Sequence, residues 1–168
     1  MNGLTPKEVE EIEKQSLKEE MSNVIEEARM ILPGIQALFG FQTIAVFNNR
    51  FEDLSDAVKL VYLGGLALLT VSMALLMTPA AYNRIAERGQ ASRRMVNLSS
   101  RLITAGLVPL MLAFAVDIFV VAQMALDNLV VAIAAGVATV VVLAGLWFAF
   151  PLLRRSAVPH LKGRQHKN

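Results

Sequence analysis

The chain has 168 residues, a formal net charge of +2 and no cysteine. Apolar residues make up 55% of it and charged residues only 18%. So short a chain cannot enclose that apolar fraction in one soluble core, and the composition therefore indicates an integral membrane protein. Without cysteine, disulfides, thiolate metal sites and cysteine catalysis are excluded.

Residues 1–27 predict an acidic amphipathic helix. Thr5 is placed as the N-cap, Pro6 follows at the first helical position, and Glu8 completes a capping box. Leu17 and Met21 begin an apolar face at steps of four and three residues. This face either packs on the protein's own bundle or docks another protein, through residues 1–24.

Four apolar runs predict an all-α integral membrane four-helix bundle, with spans at about 28–47, 60–82, 102–126 and 129–153. Residues 154–168 form a basic tail. The first span is the least apolar, and Pro33, Gln36, Gly40 and Thr43 form a polar and small-residue stripe along one side of it. That side is expected to face protein.

The connections between the spans give further local expectations. Tyr62 and Tyr82 stand near the two ends of the second span, where aromatic rings favour the membrane interface. Gly65 in the same span allows close helix contact. Only Asp127 and Asn128 separate the last two spans, which predicts a tight hairpin with Asp127 as the N-cap of the fourth helix.

The distribution of positive charge predicts the orientation. Lysine and arginine concentrate in the N-terminal segment, in the connection 84–101 and in the tail, whereas the two other connections hold only Arg50 and Lys59. The positive-inside rule then places both termini in the cytoplasm of a bacterial inner membrane. At the inner edge, Glu26 and Arg29 are one turn apart and form a candidate charge pair, unless Arg29 reaches lipid phosphate instead.

Asp117 is the one charged residue inside the span 102–126, and a carboxylate at that depth needs an explanation. Counting from the span centres puts Gln42 at the level of Asp117, so Gln42 or Thr43 is expected to hydrogen-bond it. No basic residue is available at that depth, so we expect Asp117 to be protonated or linked to water. Two roles are open for Asp117. It either forms an interhelical hydrogen bond that fixes the bundle, or it binds a proton or cation that approaches past Gln42, Gln36 and Thr43.

Several classes of function lack support in the sequence. There is no serine elbow, no HExxH and no phosphate-cradling loop, and the two histidines, His160 and His166, sit in the tail without metal-ligand spacing. We therefore expect no enzyme activity, no cofactor and no metal. The Arg-rich connection 84–101 lacks interleaved aromatic residues, which argues against nucleic-acid binding.

The chain resembles a large family of small bacterial four-span membrane proteins that is catalogued as a domain of unknown function. The resemblance covers about residues 25–155 and rests on these groups: Gly34, Gln36, Leu38, Phe39 and Phe41; Arg50, Phe51 and Leu63; Thr78 to Tyr82 and Arg84; and Pro151 to Arg155. It implies four spans, and some members of that family are labelled sodium:proton antiporters.

Two hypotheses about function follow. In the first, the protein is a small proton- or cation-linked transporter or channel-like subunit that works as a homo-oligomer, because four helices leave little interior for a pathway. In the second, it is a non-transporting accessory or structural protein, which binds a partner through its N-terminal helix or basic tail.

Overall fold

The computed structural model describes residues 5–85 and 92–155, and these residues are helical apart from short connections. Helix α1 spans Pro6–Ala45, α2 Asn49–Glu52, α3 Asp56–Ile85, α4 Arg93–Leu126 and α5 Leu129–Ala144; a π-helical turn, Gly145–Ala149, then leads into α6, Phe150–Arg155. The predicted all-α class is confirmed.

Three helices are long and apolar enough to cross a membrane within the described part of the chain. They are Asp56–Ile85, Arg93–Leu126 and the continuous run Leu129–Arg154. They correspond to the second, third and fourth spans expected from the sequence. The protein is therefore a membrane protein, built on at least these three helices.

Helix α1 is one continuous helix of 40 residues, with no break between residues 27 and 28. It starts with the expected capping box, in which the Thr5 hydroxyl accepts from Glu8 N–H and the Glu8 carboxylate accepts from Thr5 N–H. Its buried residues share one face at spacings of four and seven: Leu17, Met21, Ala28, Ile35 and Gln42. Because this face is buried from Leu17 to Gln42, on both sides of Pro33, the helix runs on through the proline.

Helix α4 lies at the centre and contacts α1, α3 and α5. An apolar cluster joins α1, α3 and α4, and its most buried members are Ile35, Leu69, Leu76, Leu110 and Ala113. Helices α4 and α5 approach each other closely at Gly136. A Cβ there would lie 3.2 Å from the Ala115 carbonyl oxygen, so the contact depends on glycine. Between α3 and α4, the buried Ser72 hydroxyl donates to the Gly106 carbonyl over 2.8 Å.

The hairpin between α4 and α5 corrects one prediction. Asn128, not Asp127, is the N-cap of α5, and its side-chain oxygen accepts from Val130 N–H and Val131 N–H. Asp127 ends α4 in the left-handed conformation at φ 45°. Aspartate tolerates this conformation better than most residues. Asp127 therefore turns the chain at the end of α4, and Asn128 caps the start of α5.

The predicted basic tail lies outside the described residues beyond Arg155. His160 and His166 lie there as well. The sequence before Thr5 and the middle of the Arg-rich connection, residues 86–91, are likewise outside the description.

Candidate functional site

Asp117 of α4 meets Gln42 of α1 inside the bundle. Gln42 donates from Nε2 to Asp117 Oδ1 over 2.5 Å. Gln42 is 0% exposed and Asp117 is 5% exposed, so this hydrogen bond is buried inside the protein. The two residues thus meet at one level, as the depth count predicts.

Gln42 is itself held by α3. The Tyr62 hydroxyl donates to the Gln42 main-chain carbonyl. Because α1 ends at Ala45, that carbonyl is one of the last four in the helix, which have no partner along the helix. Tyr62 therefore closes the end of α1 and fixes the residue that contacts Asp117.

A cavity of about 500 Å³ lies between the end of α1 and the second half of α4. Its polar lining residues are Asn48, Arg50, Tyr62 and Asp117, and its apolar ones are Phe41, Ile44, Ala45, Val120, Val121, Met124 and Ala125. We call it the α2-end cavity, because α2 lies at its mouth. Buried Asp117 and Tyr62 are at its floor, whereas exposed Arg50 is at its rim. The site is thus an open cavity with a buried carboxyl at the bottom.

Arg50 is fixed at the rim by the end of α4. Its Nη1 donates to the Met124 carbonyl over 3.0 Å, across 74 residues of sequence. That carbonyl belongs to the last turn of α4, where the helix dipole favours a cation. Phe51 next to it packs edge to face on Tyr62, with ring centroids 5.0 Å apart. Helix α2 is thereby anchored over the cavity.

Two oxygen atoms of the central pair lack a protein partner. Within the described residues, Asp117 Oδ2 and Gln42 Oε1 are buried and make no hydrogen bond. A buried acceptor without a partner costs about 1–3 kcal/mol, so a proton, water or ligand that satisfied it would be stabilised. Asp117 lines the cavity and is the group through which such a ligand would be held.

The structure does not bring the other predicted site residues to Asp117. Gln36 is exposed on α1, and the Thr43 hydroxyl is used on its own helix, donating to the Phe39 carbonyl over 2.9 Å. Both lie off the buried face that carries Ile35 and Gln42. Neither Gln36 nor Thr43 lines the α2-end cavity.

The inner-edge pair is also apart. Glu26 and Arg29 are both exposed, and among the residues the structure describes the ion pairs are Lys14 with Glu10 and Arg93 with Glu13. The second pair joins the N-terminal half of α1 to the start of α4.

Sequence reasoning missed Tyr62 and Arg50 as parts of the site. Tyr62 was expected at the membrane interface, but it is 2% exposed, whereas Tyr82 at the other end of α3 is 43% exposed. A hydroxyl needs a partner when it is buried, and only the fold shows that the end of α1 supplies it. The sequence held one signal for Arg50, because it is one of only two basic residues in the connections on that side of the predicted topology.

The fold and the site define a small all-α membrane protein with a buried carboxyl beneath an open cavity. The chain belongs to the Family of unknown function (DUF6328), which matches residues 10–151. No curated protein and no solved structure matches it significantly.

Proposed function

We propose that this protein is a subunit of a small proton-linked transporter or channel-like homo-oligomer in a bacterial inner membrane, with Asp117 as the proton-binding group. One observation carries the proposal: Asp117 is buried at the floor of the α2-end cavity, and its Oδ2 has no partner among the described residues. Intramembrane carboxyls often mark ion pathways when they are beside an open cavity.

The proposal treats the second half of α1 as a fourth span. Large apolar side chains are exposed along it, with Met30 78%, Phe39 51% and Ile44 72% exposed, and lipid would cover them. Gln42 is on the same segment at the level of Asp117. With four spans, the positive-inside rule puts both termini in the cytoplasm and the α2 end of the bundle on the outer side.

A proton suits the site better than a metal cation. In the ranges 5–85 and 92–155, no group of three His, Cys, Asp or Glu side chains is arranged to hold a metal ion. Hard cations take several oxygen ligands, whereas a proton needs one carboxyl oxygen.

The packing beyond the floor of the cavity supports the proposed oligomer. Ile35, Leu69 and Leu110 are each about two turns from Gln42, Tyr62 and Asp117, respectively, and they are packed in the apolar cluster. A pathway through one copy is therefore closed on that side. Transport would need either a second copy that completes the pathway or a movement of α1 against α4.

Flux in proteoliposomes tests the proposal. Proton and sodium movement is measured under a pH gradient and under a sodium gradient for the wild type, Asp117→Asn and Asp127→Asn. Asp127 is a matched control, because it is an exposed carboxyl at the end of the same helix. We expect flux with the wild type and with Asp127→Asn, and no flux with Asp117→Asn. No flux from folded wild type under any gradient would overturn it.

A second candidate is an accessory protein that binds a partner through its N-terminal helix or basic tail. One observation favours it: Val9 and Ile12 in the first turns of α1 are 50% and 55% exposed, whereas Leu17 and Met21 are buried. The double variant Val9→Ser/Ile12→Ser removes that exposed apolar surface without touching the buried face. Loss of a specific co-purifying partner with this variant, and no flux by the wild type, would favour the accessory role.

A further inference from the structure

The α2-end cavity contains one positive and one negative group. Arg50 is at the rim and Asp117 is at the floor. From α3 the titratable group at the cavity is the phenol of Tyr62, which donates to Gln42. The described α1 residues that line the cavity carry no charge, and α5 contributes none of the lining residues. Lys59 lies at the same end of the bundle, but its ammonium group donates to the Glu52 carbonyl.

The distance between the two charges is short enough for them to influence each other. The Arg50 guanidinium is 3.0 Å from the Met124 carbonyl oxygen, and Met124 follows Asp117 by seven residues on α4. At 1.5 Å per residue the backbone positions of Asp117 and Met124 are about 10 Å apart along the helix, which sets the scale of the separation between the two charges. With an effective dielectric constant of about 20, a unit charge at that distance changes the affinity for another by a factor on the order of ten.

The rest of the cavity fits an organic ligand rather than a bare ion. About 500 Å³ is within the usual range for small-molecule sites, and most of the lining is apolar. The walls include Phe41, Ile44 and Val121, which are 50%, 72% and 40% exposed. Among the described residues, the Arg50 guanidinium donates through Nη1 to the Met124 carbonyl. An arginine has five N–H donors, so others are left to bind an anion.

We propose that the α2-end cavity binds an amphipathic organic anion, with its acidic head on Arg50 and its apolar body against Phe41, Ile44 and Val121, and that this anion binds together with a proton on Asp117. The proposal rests on the proton-binding role of Asp117 and adds a substrate class to it. When Asp117 is protonated, the cavity changes from neutral to positive, so anion binding and proton binding favour each other. An organic cation would meet a like charge in that state and would be repelled.

Binding of three isosteric probes tests the charge preference. Benzoate, benzyl alcohol and benzylammonium are measured by calorimetry against the full-length protein in detergent. At pH values where benzoate itself is ionised, benzoate is expected to bind about tenfold more tightly below the pH at which Asp117 titrates than above it. Tighter binding of benzylammonium than of benzoate would overturn the proposal.

Three variants test the two residues. Asp117→Asn imitates the neutral carboxyl, so it is expected to bind benzoate at high pH as tightly as the wild type does at low pH. Arg50→Gln is expected to lose at least about tenfold in affinity at every pH, and Arg50→Lys to retain part of it. Lys59→Gln removes a cation at the same end that does not line the cavity, so it is expected to bind normally. Equal affinity of wild type and Arg50→Gln would overturn the assignment.

Proton uptake supplies a readout that a structural role of Arg50 would not give. In weakly buffered solution, benzoate binding to the wild type is expected to raise the pH, and binding to Asp117→Asn is expected to leave it unchanged. Equal proton uptake by both proteins would overturn the coupling. Each variant is first checked for wild-type helix content and a single oligomeric state.

The anionic head has two natural sources, a free organic acid and a lipid phosphate. Binding in phosphatidylcholine nanodiscs is compared with binding in nanodiscs that also contain phosphatidylglycerol. Loss of benzoate binding with phosphatidylglycerol identifies a lipid headgroup as the anion, and unchanged binding identifies a free acid. Failure of benzoate to bind while proton flux still depends on Asp117 would overturn this inference alone, whereas binding without flux would overturn the transport function alone.

Discussion

Gln42 and Asp117 are 75 residues apart in sequence and share a hydrogen bond of 2.5 Å in the interior of the bundle. The bond joins α1 to the central helix α4, and Tyr62 of α3 holds Gln42 from the other side. Three helices thus meet at one buried polar point.

The Gln42–Asp117 contact is expected to show a coupling energy of about 0.6 to 1.7 kcal/mol, as is typical for hydrogen bonds in membrane proteins. The measurement is a double-mutant cycle with Gln42→Leu and Asp117→Leu, read as the free energy of unfolding in sodium dodecyl sulfate. Gln36→Leu serves as the control, because Gln36 is exposed on the same helix. Equal coupling of Asp117 to Gln36 and to Gln42 would contradict the contact.

Removing the hydroxyl of Tyr62 is expected to destabilise the protein by about 1 kcal/mol, because the Gln42 carbonyl loses its donor. Tyr62→Phe keeps the ring, and with it the edge-to-face contact to Phe51 at 5.0 Å. Tyr82→Phe is the matched variant, since Tyr82 is exposed. If both substitutions changed the free energy of unfolding equally, the role of Tyr62 at the end of α1 would be wrong.

Adjacent glycines in α3 are expected to respond differently to alanine. A Cβ at Gly65 would lie 2.7 Å from Val116 Cγ1, next to Asp117, whereas a Cβ at Gly64 meets nothing within 4 Å. Gly65→Ala should therefore cost about 1–3 kcal/mol of unfolding free energy and Gly64→Ala should cost nothing. Adding Val116→Ala to Gly65→Ala removes the clash, so recovery of stability is expected there; absence of recovery would point to another cause.

The start of α1 is expected to loosen in acid. Hydrogen bonds from the Thr5 backbone and side chain lower the pKa of Glu8 below its ordinary value of 4.5. A carboxyl with a lowered pKa stabilises the folded form fully above its ordinary value, and this stabilisation is lost as the pH falls through the lowered value. Cα chemical shifts of Pro6 to Glu10 should therefore move toward coil values below about pH 4.5. In Thr5→Ala the shifts should already be coil-like and should change less with pH.

Much of the fold was predictable because it depends on local patterns. Apolar runs give the membrane helices, and Thr5 with Glu8 gives the start of α1 at Pro6. The contact of Gln42 with Asp117 was expected from the depth of each residue along its predicted span, and the structure shows that contact. The buried face of α1 repeats every seven residues from Met21 to Gln42, and this spacing is visible in the sequence.

The rest of the site depends on how separate segments meet, which periodicity does not determine. Arg50 belongs to a short connection, and its bond to Met124 exists only because α2 lies against the end of α4. Tyr62 was assigned to the interface because it stands near one end of the second span, and periodicity gave no sign that packing buries it. Asp127 and Asn128 are both good caps, and only the left-handed conformation of Asp127 decides which one caps α5.

The central claim is that the Asp117 carboxyl takes up and releases a proton through the α2-end cavity. Its most direct test is the carboxyl carbon chemical shift of Asp117 in lipid nanodiscs, followed with pH and assigned by comparison with Asp117→Asn. If Asp117 binds and releases a proton, this signal shows one reversible titration while the protein stays folded, displaced in Arg50→Gln and unchanged in Lys59→Gln. A signal that stays constant over the whole pH range would show that Asp117 only fixes the bundle and does not exchange a proton.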